Sequence, residues 1–422
     1  MREAKSWMRL DNAAKIFPAV RRRNWTNVFR LSAMLRDPVD PALLQEAVQA
    51  VLPRFPSMAV SLHRGIFWYY LEQVPEGPKV RRDGACPLMH MTDRELRTCA
   101  LRVLYYGNRI AVEFFHAITD GNGGLIFLKT LAAEYVTRRY GVAVSCGGGV
   151  LDRSQAPDPE ELEDSFPRFA GEVAMSRKEE GALRLRGSRE PGGFLHLTTA
   201  TLEAERLKEL AHRYDVSVTS FLAAVMLQAI MEMRPRRMGS AKWAKLTIPV
   251  NLRKLFPSRT LRNFALTVNV GVDPRLGTYT LEELCKSVQS QLTMQVTPQQ
   301  MAARIAANVN PERMLAMKVT PLFLKNLAMR MVYRMVGESK GTLNISNLGL
   351  TKLPPEMAPY VEQLDFIIGV QATYFNNCSV VTYGNRTRIN MTRSLREPEL
   401  ERRFFTKLVQ LGLEVTMESN QR

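Results

Sequence analysis

Apolar and polar positions in the first third of the chain follow helical and strand periods in turn. An apolar and aromatic run predicts a strand over residues 24–35. Leucine, valine and alanine then recur with helical spacing over 38–52, where two prolines end the pattern. Residues 67–71 predict another strand. Two strand-like runs, 99–106 and 109–115, flank a Gly-Asn pair, which indicates a tight hairpin.

A glycine-containing turn follows the second strand of this hairpin and leads into a helix. The turn holds His116 and then Asp120-Gly121-Asn122-Gly123-Gly124, and helical spacing continues over 125–139. Loops beside strand ends often carry functional side chains, so His116 can reach a cleft. Asp120 can bond backbone amides of the turn, and Gly121 lets the chain bend where a side chain would clash. We therefore place the candidate chemistry at this turn.

The rest of the chain mixes strands, helices and a second hairpin. The predicted strands cover 195–201, 243–250, 264–272 and 343–345, and the predicted helices cover 203–214, 219–233, 281–292, 314–336 and 399–411. A hairpin pairs 379–383 with 388–392. This irregular order predicts an α/β fold with mixed sheets flanked by helices, rather than a doubly wound parallel sheet. A charged, glycine-rich linker over 151–193 separates a half at 1–150 from a half at 194–422.

Composition and charge narrow the classes of partner. The 422 residues are 45% hydrophobic and 23% charged, which allows a large core. The net charge of +17 suits an anionic small ligand or an acidic carrier protein, and a basic surface without a partner is the alternative. The basic runs do not interleave with aromatic residues, so we predict no nucleic-acid partner.

The spacing of the cysteines bears on metal sites and on the cellular compartment, and the lengths of apolar runs bear on membrane insertion. The five cysteines are widely spaced without a CxxC pair, which predicts neither a zinc site nor a disulfide framework and favours a cytoplasmic protein. The first 20 residues carry too many charges for a signal peptide, and no apolar run reaches the roughly 20 residues of a membrane span. The cationic stretch 314–336 is interpreted as a core helix, with peripheral membrane or acyl-chain contact as the alternative.

Several motifs resemble those of one enzyme superfamily. His116-Ala117-Ile118-Thr119-Asp120-Gly121 resembles the HxxxDG motif of the coenzyme-A-dependent acyltransferases, which include chloramphenicol acetyltransferase and condensation domains. Thr342-Leu343-Asn344-Ile345-Ser346-Asn347-Leu348-Gly349 resembles the TISNLG segment of dihydrolipoamide acyltransferases. Two further segments are similar to alcohol acetyltransferases: Leu10-Asp11-Asn12-Ala13-Ala14-Lys15-Ile16-Phe17-Pro18, and Ile248-Pro249-Val250-Asn251-Leu252-Arg253 followed by Asn263-Phe264. The resemblance spans nearly the whole chain.

This resemblance implies a fold, a reaction and a set of roles. The fold has two chloramphenicol-acetyltransferase-like halves with a tunnel between them, and a C-terminal segment crosses over to the first half's sheet. No permanent cofactor and no metal are implied, because acyl-CoA is a co-substrate. His116 would be the general base, Ser346 an oxyanion donor and Asp120 a structural carboxylate that pairs with an arginine. The implied substrate-binding residues are Asn251, Arg253, Asn347 and Gly349.

Two departures from the superfamily pattern affect this interpretation. Met58 stands near the place where condensation domains carry the arginine for the aspartate, which leaves Arg253 and Arg54 as candidate partners of Asp120. Phe115 replaces the first histidine of condensation domains, which favours a small hydroxyl acceptor over peptide synthesis. Transfer to an amine, condensation with an acyl carrier protein and a non-catalytic binding relative remain alternatives. At these positions there are structural alternatives. Ser346 would then only end a strand, and Asn251 and Arg253 would only order a loop.

Overall fold

Three β-sheets covered by helices make up the part of the chain that the computed structural model describes, residues 6–22, 26–176, 179–233, 242–337, 339–372 and 374–421. The strands in chain order are β1 (Trp7–Arg9), β2 (Val28–Leu35), β3 (Val60–Arg64), β4 (Tyr69–Gln73), β5 (Arg81–Arg82), β6 (Leu101–Tyr106), β7 (Arg109–Phe115), β8 (His196–Glu203), β9 (Ala244–Asn251), β10 (Ala265–Val272), β11 (Leu343–Thr351), β12 (Val361–Ile368), β13 (Asn376–Tyr383), β14 (Arg386–Arg393) and β15 (Thr416–Ser419). The helices are α1 (Ile16–Val20), α2 (Pro41–Val51), α3 (Asp93–Leu96), α4 (Gly121–Tyr140), α5 (Ala204–Arg213), α6 (Val218–Glu232), α7 (Leu281–Gln295), α8 (Pro298–Arg313), α9 (Leu315–Val319), α10 (Leu322–Val336) and α11 (Glu399–Gln410).

A five-stranded sheet carries the HxxxDG turn. Its order is β12-β2-β7-β6-β5, and α4 packs against β2 and β7. Strand β12 comes from the C-terminal part of the chain and pairs antiparallel with β2, so this sheet joins distant parts of the sequence. A three-stranded sheet with the order β1-β4-β3 lies in the same part of the chain.

A seven-stranded mixed sheet forms the larger part of the C-terminal half. Its order is β10-β9-β11-β13-β14-β8-β15, and β11 pairs parallel with both β9 and β13. Helices α6 and α7 pack against one another and against β9 and β10. Each large sheet contributes to its own hydrophobic cluster. The predicted α/β fold with mixed sheets is therefore confirmed.

Helix α4 begins four residues before the predicted start at 125. The Asp120 side chain accepts hydrogen bonds from the backbone N–H groups of Asn122 and Gly123, which caps the helix and draws the glycines into its first turn. Gly141 ends the helix in the left-handed conformation with φ of 69°, which glycine adopts at little steric cost. The cap fixes the start of α4 next to His116.

The single helix predicted over 314–336 is wrong. The chain there forms α9 and α10, and it breaks at Thr320-Pro321. Proline has no N–H to donate and disfavours the helical conformation at the residue before it. Helix α8 and strand β15 were not predicted. No strand was predicted over Val361–Ile368 either, although the resemblance implied that a C-terminal segment crosses over to the first half's sheet. The strand predicted over 24–35 begins at Val28, and residues 24 and 25 of that prediction lie outside the described residues.

A helix that spans a membrane needs both sufficient length and an apolar composition. Among the described residues, no single helix is both long and apolar enough to cross a bilayer. Of the helices described, only α5 and α6 taken together reach that length and composition, and the two helices are bent by 77° relative to one another.

Candidate active site

The His116 side chain lies at the exit of β7, between two aromatic rings. The His116 backbone N–H donates to the Asn27 carbonyl oxygen at 2.8 Å, which ties the strand end to the segment before β2. Phe17 stacks on the imidazole with 4.4 Å between ring centroids and 17° between ring planes, and Phe29 meets it edge-on at 5.1 Å. The His116 residue is partly exposed. The two rings and the backbone bond therefore hold the imidazole in one place.

A hydrogen-bonded chain from Asp11 through Asn263 orients the imidazole. The Asn263 amide nitrogen Nδ2 donates to Asp11 Oδ2 at 3.2 Å, and the Asn263 backbone N–H donates to the same oxygen at 3.3 Å. The Asn263 amide oxygen Oδ1 consequently faces His116 Nδ1 at 3.1 Å. An amide oxygen can only accept, so Nδ1 must carry the proton. This tautomer leaves a lone pair on Nε2.

The surroundings of His116 also lower the pKa of its imidazole. Burial is the largest cause, because low-dielectric surroundings disfavour the charged imidazolium. The His116 backbone, Asp120, Asn263 and Asp11 act in the opposite direction and raise the pKa, but they do not outweigh burial. The ring is accordingly neutral at pH 7, the form that can accept a proton.

The anchor of this chain, Asp11, is fully buried. Burial raises its pKa, while the charge of Arg262 and hydrogen bonds from Asn263 and Ala14 lower it. Arg262 Nε lies 3.7 Å from Asp11 Oδ2, and the Ala14 backbone N–H donates to Asp11 Oδ1 at 2.7 Å. Both carboxyl oxygens thus receive N–H donors, which fixes the direction in which the Asn263 amide points.

Asp120 has a structural environment that joins α4 to the C-terminal half. Its Oδ2 accepts from Arg253 Nη1 at 2.8 Å and from the Phe264 backbone N–H at 2.8 Å, in addition to the cap bonds of Oδ1. The side chains of Asp120 and Arg253 are 5% and 10% exposed, so water does not compete for the pair. The arginine partner left open by the sequence is therefore Arg253.

The other candidate, Arg54, pairs elsewhere. Its guanidinium binds the buried carboxylate of Glu161, with Nη2 at 2.7 Å from Oε1. Arg253 is also held by the loop that follows it, since Nε donates to the Thr260 carbonyl at 2.8 Å and Nη2 to the Arg262 carbonyl at 2.6 Å. Its donors thus order the loop that delivers Asn263 to His116.

Asn251 and the glycines of the turn complete the contact between the halves. The Asn251 amide oxygen accepts from the Arg253 backbone N–H at 3.1 Å, and its amide nitrogen lies 3.4 Å from Asn122 Oδ1. A Cβ on Gly123 would lie 2.1 Å from the Leu261 carbonyl oxygen, so a larger residue there would push the loop away. A Cβ on Gly121 would lie 3.0 Å from a Leu348 methyl.

The Ser346 segment approaches the turn from strand β11. Ser346 is partly exposed, and its hydroxyl has no hydrogen-bond partner among the side chains and backbone that the structure describes. Leu348, two residues later, lies against Gly121. Asn347 donates from Nδ2 to Thr219 Oγ1 at 3.0 Å and accepts from the Gly349 N–H at 2.8 Å. Gly349 has φ of 76°, where a side chain would be strained.

The structure brings some predicted site residues into one hydrogen-bonded network at the start of α4 and places others in the adjacent bulge of β11. Asp120, Gly121, Asn251 and Arg253 meet around the start of α4, and Asn347 and Gly349 shape the bulge beside Leu348. Direct substrate contact by any of them stays a prediction. Sequence reasoning missed Asn263 and Asp11 as the residues that orient His116, although both lie in the segments that carry the alcohol acetyltransferase resemblance. No group of three histidine, cysteine or acidic side chains within the described ranges could hold a metal ion.

Comparison with known proteins identifies both a family and a fold. The model of the alcohol acetyltransferase family matches residues 192–411. No curated protein sequence matches the chain. Among solved structures, the TRI3 trichothecene 15-O-acetyltransferase of Fusarium sporotrichioides is 10% identical with a TM-score of 0.63, covering 96% of this chain and 95% of that chain.

Two further solved structures cover nearly the same length. The TRI101 protein of F. graminearum, complexed with coenzyme A and deoxynivalenol, is 10% identical with a TM-score of 0.63, covering 97% of this chain and 99% of that chain. The polyketide synthase associated protein 5 of Mycobacterium tuberculosis is 15% identical with a TM-score of 0.58, covering 96% of this chain and 98% of that chain. At these identities the likeness establishes the fold. The superfamily predicted from the motifs is confirmed.

Proposed function

The chain belongs to the alcohol acetyltransferase family, and from that premise we propose that it transfers an acetyl or longer acyl group from acyl-CoA to an alcohol hydroxyl. One observation carries the proposal: His116 is partly exposed, has a lowered pKa and turns Nδ1 toward Asn263, which leaves Nε2 free to take a proton. A hydroxyl becomes a competent nucleophile only as its proton leaves, and a neutral imidazole removes it near pH 7.

The reaction would proceed without a covalent enzyme intermediate. His116 Nε2 takes the hydroxyl proton while the acceptor oxygen bonds to the thioester carbonyl carbon, which forms a tetrahedral oxyanion. The Ser346 hydroxyl, which has no partner within the described residues, is the proposed donor to that oxyanion. Collapse breaks the carbon–sulfur bond, and the imidazolium returns its proton to the leaving thiolate. The products are an ester and free coenzyme A.

Asn263, Asp11, Arg253 and Asp120 are positioning residues in this proposal. The first two select the imidazole tautomer, and the last two hold the loop and helix against one another. None of their polar contacts reaches the reacting atoms directly. Their effect on turnover would pass through the placement of His116.

Two observations favour free acyl-CoA and an alcohol over a carrier-bound acyl group. Phe115 is fully buried in the core at the position where condensation domains carry a histidine. The TRI101 structure with coenzyme A and deoxynivalenol supports a donor site for coenzyme A in this fold. Transfer to an amine and condensation with a carrier protein are tested in the same assay.

The test is thiol release from acetyl-CoA and a longer acyl-CoA with panels of alcohols and amines without carrier protein, and in parallel from an acylated carrier protein with the same acceptors. We expect release with alcohols, and a loss of about 10²–10⁴-fold in kcat for His116→Ala. His212→Ala is the matched control, because His212 is an exposed histidine in α5 with no contact to the site. Ser346→Ala should lower kcat by roughly 10²–10³-fold if its hydroxyl binds the oxyanion.

Three outcomes would contradict the proposal in different ways. Equal turnover for His116→Ala and the wild type would mean that another group is the base. Release that requires an acylated carrier protein would favour condensation. Binding of coenzyme A by the wild type without turnover on any acceptor would favour a non-catalytic relative.

A further inference from the structure

Helix α10 carries a row of exposed apolar side chains. Phe323, Leu327, Met331 and Met335 follow one another at intervals of four residues and are 60%, 55%, 59% and 68% exposed. Because residues four apart lie on one side of a helix, these side chains form a continuous stripe. Leu324 and Val332 lie beside it and are also exposed. We name these six residues the α10 apolar face.

The turn between β3 and β4 extends this surface. The Leu322 backbone N–H donates to the Ile66 carbonyl at 2.9 Å, and Lys325 Nζ donates to the Phe67 carbonyl at 3.0 Å. The side chains of Ile66 and Phe67 are themselves exposed. Soluble proteins rarely expose contiguous apolar patches larger than a few hundred Å² unless the patch binds something. A surface of this kind is typical of a binding site.

The charges of α10 and of the segment before it indicate which partner it is. Arg330 and Arg334 of α10 are exposed, as are Arg313 and Lys318 in the preceding segment, and no aspartate or glutamate occurs between residues 313 and 337. A helix with large apolar side chains on one face and basic residues beside them is typical of segments that lie in an anionic membrane interface. We infer that the α10 apolar face, with the β3–β4 turn, docks on an anionic lipid surface.

The length of α10 indicates how it would lie on a lipid surface, and the net charge of the chain disfavours a second copy as the occupant. Helix α10 has 15 residues, too few for the roughly 20 of a membrane span, so it would lie along the surface. Arg330 Nε donates to the Ala19 carbonyl at 2.6 Å, which anchors α10 to the body of the protein. Pairing with a second copy would bring two cationic faces of a chain with net charge +17 together, and their repulsion opposes it.

Helix α10 packs against α1, the helix whose Phe17 stacks on His116. Tyr333 of α10 packs near Ile16 and Val20 of α1, and Phe17 of α1 stacks on His116. If the proposed acyl transfer is correct, docking would present membrane-dissolved substrates to the site. This part of the inference rests on the proposed function and extends it to apolar alcohols or long acyl chains.

Vesicle binding tests the docking surface without any reaction. Wild-type protein is mixed with phosphatidylcholine vesicles that contain or lack phosphatidylserine, and bound protein is measured by co-sedimentation. We expect binding to the anionic vesicles that weakens at high salt. The triple variant Phe323→Gln, Leu327→Gln and Met331→Gln should partition at least about 10-fold less.

A matched control separates this effect from a general loss of apolar surface. The triple variant Leu276→Gln, Met294→Gln and Val409→Gln changes three side chains of similar exposure on other elements, and it should bind like the wild type. Lys318→Gln with Arg334→Gln should weaken binding to anionic vesicles only. Circular dichroism melting checks that each variant stays folded, which we expect because every changed side chain is exposed.

Two results would overturn the docking surface. One is equal vesicle binding by the α10 triple variant and the wild type. The other is an absence of vesicle binding by the wild type, and a wild-type dimer that the triple variant converts to a monomer would then make the face a self-association surface. Light scattering in solution measures this conversion.

Turnover of two alcohols tests the link to the reaction separately. The α10 triple variant should esterify vesicle-dissolved decanol more slowly than the wild type and ethanol equally well. Loss of vesicle binding with unchanged decanol turnover would overturn delivery from the membrane while the docking surface stands. Absence of turnover with every acceptor in the wild type would instead overturn the proposed function.

Discussion

Replacing Asn263 with alanine should disturb the orientation of His116 while its stacking on Phe17 remains. The substitution deletes the amide oxygen 3.1 Å from His116 Nδ1 and the amide nitrogen 3.2 Å from Asp11 Oδ2. The imidazole keeps Phe17 at 4.4 Å between centroids, so it stays in the site. It loses the acceptor that selects the Nδ1–H tautomer, and molecules with the proton on Nε2 cannot act as the base.

The size of the effect follows from the value of one hydrogen bond. A net hydrogen bond contributes about 0.5–1.5 kcal/mol, and about 1.4 kcal/mol corresponds to tenfold in rate. We therefore expect kcat/KM to fall about 2- to 12-fold for Asn263→Ala, mainly through kcat. Asp11 keeps the backbone N–H donors of Asn263 and Ala14, so the free energy of unfolding should fall by only about 1–3 kcal/mol.

The assay pairs thiol-release kinetics with urea unfolding, and Asn269→Ala is the matched control. Asn269 also accepts one bond, from Thr247 Oγ1 at 2.8 Å, and donates one to a carboxylate, Glu179 Oε2 at 3.0 Å, but it does not contact His116. We expect this control to lose stability without losing kcat. Equal kcat/KM for Asn263→Ala and Asn269→Ala would refute the role of Asn263 in orienting the imidazole.

Four further predictions test the pKa of His116 and the contact between the halves. The acid limb of kcat/KM should lie below the ordinary imidazole pKa of about 6.5, and a limb at or above that value would contradict burial as the dominant cause. Because the folded pKa is lowered, the stability from His116 is present above about pH 6.5 and is lost as the pH falls below it, which urea titrations at several pH values measure. Arg253→Ala should lower the free energy of unfolding by about 3–5 kcal/mol, since it strands the buried Asp120 carboxylate, and a loss below about 1 kcal/mol would show that water replaces the pair. Gly123→Ala should lower the melting temperature and kcat together, whereas Gly84→Ala, with open space around its Cβ, should change neither.

The sequence by itself determined the local elements and the position of the candidate base. The hairpin predicted over 99–106 and 109–115 is confirmed as β6 and β7, and the turn with His116 follows it. The signals for these elements are the alternation of apolar and polar residues, the Gly-Asn pair and the capping aspartate. Each depends on residues that are close in the chain, so it can be interpreted without tertiary contacts. The motifs likewise predicted the superfamily, which the family match and the fold confirm.

Only the tertiary structure decided which distant residues serve that turn. Arg253 rather than Arg54 pairs with Asp120 across 133 positions, and Asn263 reaches His116 across 147. The pairing of β12 with β2 likewise joins strands that lie far apart in the sequence. The exposure of α10 could not be predicted either, since helical spacing specifies one side of a helix but not whether other elements cover it. The partners and the burial of side chains depend on how the sheets and loops pack together. The order of residues along the chain does not contain the distances between those elements.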